Sequence, residues 1–248
     1  MNIDHPVNNQ IPQLKALWQQ AFGDTDKEID AFFNVGFSEN RCLCVTLNGQ
    51  VAAALYWFDC TLWGKKIAYL YAIATEKDFR RQGLASKLIT AVHKRLQNNS
   101  YSGTVLVPCE DSLFGFYERF GYTAFGGIGE FTCQKADTAI PLSKIDKHIY
   151  AALRKDYLPE GSILQEDVLL DCLDAFYQGE GFICAAMKRN GSLFVPELLG
   201  DTEKATGILA AFGLETGTFR APGNDRRFAM LCPFEALPTP AYFGLALD

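Results

Sequence analysis

The chain has 248 residues, 48% of them hydrophobic and 21% charged, with a formal net charge of −6 and a pI near 5.2. That length holds one large or two small domains of ordinary globular composition. Nucleic acid demands clustered positive surface and a membrane span demands a long apolar run; the sequence offers neither.

The eight cysteines lie mostly inside apolar runs, no Cys-x-x-Cys pair occurs, and His5, His93 and His148 are scattered. This pattern predicts free thiols packed as small hydrophobes and no zinc or other metal site. With no charged-then-apolar leader at the N-terminus, it predicts a soluble cytoplasmic protein.

Ile11, Leu14, Leu17, Trp18 and Phe22 recur at helical spacing, with Pro12 in the first turn and Gly23 as a stop. Asp24 or Thr25 caps a second helix that turns Ile29, Phe32 and Phe33 inward. These aromatics read first as core and second as a wall over a cleft. Arg41 to Leu47 and Val51 to Phe58 form two strands joined at Asn48-Gly49, and another turn runs from Thr61 to Lys66.

Ile67 opens the strand around which the rest is arranged. Tyr69 to Ala74 is an almost unbroken apolar run, Thr75 to Asp78 breaks it, and Leu84, Leu88, Ile89, Val92 and Leu96 then repeat at helical spacing. Gly83 and Ala85 therefore stand at a helix start. The first amides of a helix have no partner within it, and the dipole adds partial positive charge there. Glycine lets an anion approach that backbone, and Arg80 and Arg81 add forked donors. The combination predicts a diphosphate cradle at the carboxyl end of a strand. A nucleotide-phosphate site of P-loop type is a third option, disfavoured because no Gly-Lys-Ser/Thr follows the strand.

Arg80-x-x-Gly83-x-Ala85 after an apolar strand resembles the acyl-CoA signature of the GNAT superfamily of N-acetyltransferases. A second piece follows in order: strand Thr104 to Val107, then Leu113-Phe-Gly-Phe-Tyr117-Glu-Arg-Phe-Gly-Tyr122, similar to that family's "lYeklGF" helix. The resemblance covers about residues 11 to 133 and implies an α+β GNAT fold, a mixed central sheet flanked by helices. It implies acetyl-CoA as cosubstrate, without metal, and a primary amine of a small molecule or peptide as acceptor, attacked directly in a ternary complex. It places the pantetheine arm along Ile73, Ala74 and Thr75 and the diphosphate on Arg80, Arg81, Gln82, Gly83, Leu84, Ala85 and Ser86. It makes Tyr117 the group that protonates the leaving thiolate. Where the family has Asn, seven residues earlier, this chain has Glu110, a candidate base in its own right. Glu130, Asp59 and a water chain are the other candidates for the base. Cys109 has no assignable His or Asn to make it a nucleophile. The alternative function is a non-catalytic acyl-CoA-binding sensor or scaffold. A homodimer is compatible with the sequence.

After Lys135 the chain turns polar, which sets the expected boundary at 135/136, with a catalytic domain over 1–135 and a second over 136–248. There, Ile149 to Leu153 predicts a short helix before a loop at Pro159 to Ser162, and Val168 to Tyr177 a helical stripe. Phe182 to Met187 and Ser192 to Leu199 predict a hairpin about Arg189-Asn190-Gly191. Asp201 or Thr202 caps a helix ended by Gly213, and Thr216 to Arg220, Phe228 to Pro233 and Tyr242 to Leu247 predict strands. The order repeats the first half in reduced form. It resembles the tandem, enhanced-intracellular-survival type of acetyltransferase, with a degenerate second lobe that lacks the phosphate signature. That resemblance adds the carboxylate of Asp248 as a further candidate base.

Overall fold

The computed structural model describes residues 1–165, 167–189 and 191–247, so Glu166, Asn190 and Asp248 lie outside the described residues. The chain divides into two units, Met1–Thr123 with Met230–Leu237, and Ala124–Ala229 with Pro238–Asp248.

In the first unit, β1 (Asn2–Asp4) precedes α1 (Ile11–Phe22) and α2 (Asp26–Val35). Gly23 ends α1 in the left-handed conformation, at φ 77°. Thr25 then caps α2 in a capping box: its Oγ1 accepts from the Glu28 N–H, and Glu28 accepts from the Thr25 N–H. Asp24 instead accepts from Trp18 Nε1 at 2.7 Å. Three antiparallel strands follow, β2 (Cys42–Leu47), β3 (Gln50–Leu62) and β4 (Lys65–Thr75), then α3 (Leu84–Asn98), β5 (Gly103–Leu106) and the short α4 (Phe114–Glu118). β5 runs parallel to β4, the two joined through α3 as a strand–helix–strand crossover. Alternation along β3 and β4 separates two faces. Leu55, Trp57, Ala68 and Leu70 pack against Leu84, Leu88 and Val92 of α3, while Tyr56, Phe58 and Tyr71 meet the rings of α1 and α2, and Tyr69 stacks on Phe58.

In the second unit, β6 (Thr123–Gln134) leads to β7 (Ser143–Ile145), α5 (Lys147–Tyr157), β8 (Leu164–Gln165) and α6 (Asp167–Asp171). Then come β9 (Ala175–Gly179), β10 (Phe182–Arg189), β11 (Ser192–Gly200), α7 (Ala205–Phe212), β12 (Thr216–Gly223) and β13 (Arg226–Pro233). β11 and β12 are parallel and joined through α7, the same local unit as β4–α3–β5. Buried Arg154 grips buried Glu197 with two hydrogen bonds, of 2.5 and 2.9 Å, and Tyr150 donates a third at 2.8 Å. This pairing is what an ionised carboxylate needs in a dry interior.

Three expectations change. The structural division falls at 123/124 rather than 135/136, because β6 continues unbroken and pairs with β12 from Gly127 to Gln134. The stripe expected to be helical through Tyr177 stops at Asp171, and Phe176 and Tyr177 enter a strand opposite Ala185 and Cys184. Tyr242 to Ala246 form no strand. They are a buried irregular segment, anchored where Ile163 N–H donates to the Tyr242 carbonyl and Gln165 Nε2 to the Gly244 carbonyl. Among the described residues no helix is long and apolar enough to cross a membrane.

Candidate active site

The organising feature is a parting of two strands. β4 and β5 pair only at Ile67/Gly103, Ala68/Thr104 and Tyr69/Val105, yet β4 continues to Thr75 while β5 ends at Leu106. Among the described residues, the stretch Leu70 to Thr75 therefore has no strand on its β5 side. A bulge falls in this stretch: Ala54 pairs with Ala74 and Tyr56 with Tyr71, so Leu55 faces two residues, and Ala72 has φ 49°. The bulge shifts the alternation, so that Ile73 packs with the α3-side core instead of following Tyr71. Ile73 and Thr75 are half-buried and Ala74 is buried, so this edge offers main-chain groups more than side chains.

Beyond Thr75 a single 3₁₀ turn, Lys77–Phe79, leads to the loop that starts α3. Arg81 (φ 63°) and Gly83 (φ 72°) both adopt the left-handed conformation, with Gln82 between them. A Cβ placed on Gly83 would meet nothing within 4 Å, so the glycine serves its backbone angle and leaves open space in front of the loop. The N–H groups of Gly83, Leu84, Ala85 and Ser86 donate to no other described residue. Arg81, Gln82 and Gly83 are exposed, Ala85 and Ser86 half-buried, and Leu84 is buried in the core. Converging free amides at a helix start, backed by arginine, are the donor set a diphosphate requires, and a CoA diphosphate fits it. Arg80 departs in part from its expected role: its Nε donates to the Thr75 carbonyl at 3.2 Å and ties the loop to the end of β4.

Tyr117 lies on α4, buried in the core that includes Leu106 and Tyr122. Burial pushes its phenol well above the usual 10, and negative charge at Cys109 would push it further the same way. Cys109 is exposed. Glu110 is exposed at the start of the turn before α4 and accepts from Ser112 Oγ at 2.5 Å.

Two other candidate bases lose their claim. Asp59 pairs with Ala68, seven residues before Thr75 and so roughly 20 Å away along the strand. Its carboxylate is taken by Tyr101, at 2.5 Å, and by Lys66, at 3.2 Å. Glu130 is half-buried, which raises its pKa, but hydrogen bonds and charge from Arg220 (2.6 Å) and Arg226 (3.1 Å) outweigh that and hold it below the usual range. Asp248 lies outside the described residues.

Sequence reasoning missed two features of this site. The bulge at Ala72 has no sequence signal, since alanine marks no turn. Gln20, at the end of α1, accepts from Lys77 N–H at 3.1 Å and donates to Glu76 at 3.0 Å, clamping α1 beside the end of β4. A polar residue on a helix surface carries no hint of such a bond.

The acetyltransferase (GNAT) domain family model matches residues 2–125, half of the chain. Serotonin N-acetyltransferase of Mesocricetus auratus is 35% identical over 63 residues, 25% of this chain and 30% of that protein. The Homo sapiens serotonin N-acetyltransferase is 31% identical over 97 residues, 38% of this chain and 47% of that one. The chain thus spans less than half the length of these curated relatives. Among solved structures, a GCN5-related N-acetyltransferase from Anabaena variabilis ATCC 29413 superposes with a TM-score of 0.73 at 16% identity, over 93% of this chain and 72% of that one. Eis1 from Mycobacterium abscessus gives 0.66 at 12% identity, over 94% of this chain and 74% of that one. A putative acetyltransferase from Pyrococcus horikoshii gives 0.70 at 11%, over 98% and 93%. At these identities the likeness is one of fold.

Proposed function

Since the chain belongs to the GNAT acetyltransferase family, we propose that it transfers an acetyl group from acetyl-CoA to a primary amine of a small molecule or peptide, by direct attack with both substrates bound. Acetyl-CoA supplies the activated thioester. The amides of Gly83 to Ser86, with Arg80, Arg81 and Gln82 around them, bind its diphosphate. The open edge of β4 at Ile73, Ala74 and Thr75 orients the arm, and an amide there polarises the carbonyl oxygen. Tyr117 keeps its proton through the neutral range and gives it to the leaving sulfur. Glu110 remains the carboxylate on hand to accept the amine's proton. The printed substrate of the serotonin N-acetyltransferases supports an amine acceptor. The second unit, with a strand–helix–strand unit like the first, is read as a degenerate GNAT-like lobe. Asp201 caps its helix start by accepting from Glu203 N–H, so the position corresponding to the cradle is closed and acidic.

The observation that carries this reading is the row of unpaired amides behind Gly83 at the end of a parted strand pair. Thiol release from acetyl-CoA across a panel of primary amines tests it, with Tyr117→Phe as the variant. Turnover should fall at least ~100-fold in kcat in the variant, the scale of a lost general acid, with KM for acetyl-CoA little changed. Binding of CoA without turnover of any amine would instead favour a sensor.

A further inference from the structure

A short turn joins the two parts of the proposed CoA site. The open edge of β4 ends at Thr75, the amide cradle begins at Gly83, and the 3₁₀ turn Lys77–Phe79 lies between them. Most bonds that hold this segment are its own. The Asp78 N–H donates to Glu76 Oε2 at 2.8 Å, the Phe79 N–H to the Glu76 carbonyl at 3.0 Å, and Arg80 Nε to the Thr75 carbonyl at 3.2 Å. The Glu76 N–H continues the pairing with β3 by donating to the Ala52 carbonyl at 2.9 Å. Gln20 ties the segment to another element. From the last turns of α1, its Oε1 accepts from the Lys77 N–H at 3.1 Å and its Nε2 donates to Glu76 Oε1 at 3.0 Å.

The far end of this tie is firm. Leu14, Leu17 and Trp18 of α1 are 0–4% exposed, and Trp18, two residues before Gln20, packs on Tyr56 of β3 at 5.3 Å between centroids. The residue type fits the task. A carboxamide carries an acceptor and a donor, so one side chain answers a main-chain N–H and a carboxylate together; glutamate answers only the first, and alanine neither. The bond from Gln20 is the first cause that holds the Glu76 carboxyl below its usual range. Gln20 itself is exposed, so water competes for its bonds and they add little to stability. What they supply is position. The bulge at Ala72 leaves the end of β4 held by β3 on one side and open on the other, so the turn after Thr75 decides where that end lies. Transfer between two bound substrates is sensitive to such placement: a shift of about 1 Å can cost on the order of 100-fold in rate.

We infer that Gln20 is a positioning residue for acetyl transfer: it pins the turn after β4 to α1 and so fixes the strand end along which the thioester lies. This rests on the acetyl-transfer reading and adds a residue to it. The test compares the native chain, Gln20→Ala, Gln20→Glu and the double variant Gln20→Glu with Glu76→Gln. Turnover is measured with the fastest acceptor among n-butylamine, spermidine, Nα-acetyllysine and tyramine, and CoA binding by calorimetry. Each single variant should lose at least ~10-fold in kcat. The dissociation constant for CoA, set by the cradle on α3, should stay within ~2-fold, and the urea midpoint should barely move. The double variant rebuilds both bonds, the second with its direction reversed. A carboxylate at position 20 accepts from the Lys77 N–H and from the amide at position 76, whose oxygen still serves the Asp78 N–H. It should return kcat to within ~3-fold of native, a rescue that a general loss of stability would not show. An unchanged kcat in Gln20→Ala, a CoA affinity that falls in step with kcat, or a double variant no better than Gln20→Glu would each overturn the inference and leave acetyl transfer standing. No turnover of any acceptor by the native chain would overturn acetyl transfer and the inference with it.

Discussion

Arg81 and Gly83 both hold positive φ angles, but at different cost. Glycine adopts this conformation freely, whereas an arginine there gives up about 1 kcal/mol, a strain kept where backbone amides must converge. His93 shows another local cost. Its Nε2 lies 2.8 Å from Tyr122 Oη, which lies 2.7 Å from Thr104 Oγ1, inside the packing of α3 on the sheet. Burial pushes His93 down to about 4 from 6.5. The unfolded chain therefore takes up this proton near pH 6.5 while the folded chain resists until about 4. Stability is full above 6.5 and falls as pH drops through that window, by on the order of 3 kcal/mol at its lower end. Urea unfolding at pH 7.5 and 4.5 should show a larger loss for the native chain than for His93→Gln. Parallel losses would show that His93 does not carry the effect.

At the scale of elements, the bulge in β4 sets where the main chain opens. Ala72 sits at φ 49°, so Ala72→Val should destabilise the protein by about 1–2 kcal/mol, while Ala72→Gly should stay within about 0.5 kcal/mol. Equal urea midpoints for the two variants would mean that the backbone there relaxes. Sequence pattern revealed the strands and helices that carry long periodic runs: Leu84 to Leu96, Phe182 to Met187, and the Thr25 and Gly23 punctuation. It failed where runs were short. Phe176 and Tyr177 continue a helical spacing from Val168, but pairing with β10 decides their conformation. Tyr242 to Ala246 alternate like a strand and are buried by irregular chain instead. In the site, the glycine and its free amides were legible because their chemistry is local. The Arg80–Thr75 tie and the Gln20 clamp were not, since both depend on where a flexible side chain finds a partner.

Over the whole molecule, the two halves run through one order of elements. β1, two helices, three antiparallel strands, a crossover helix and a parallel strand in the first correspond to β7, α5 and α6, β9 to β11, α7 and β12 in the second. Some neighbouring strands come from distant parts of the sequence. β5 pairs with Met230 to Pro233 of β13, and β12 pairs with β6. Partners some 80 to 130 residues apart leave no trace in local periodicity, which is why the sequence boundary fell too late. Among the described residues, the crossover helix of the first half starts at a glycine; that of the second is preceded by Asp201. The central claim, one amide cradle per chain for the diphosphate of CoA, is tested most directly by calorimetric titration of CoA into the native chain and Gly83→Glu. The account predicts one site per chain, weakened at least ~10-fold by a carboxylate set before the free amides, in a variant that remains folded. Two sites per chain, or an affinity unchanged by Gly83→Glu, would contradict it.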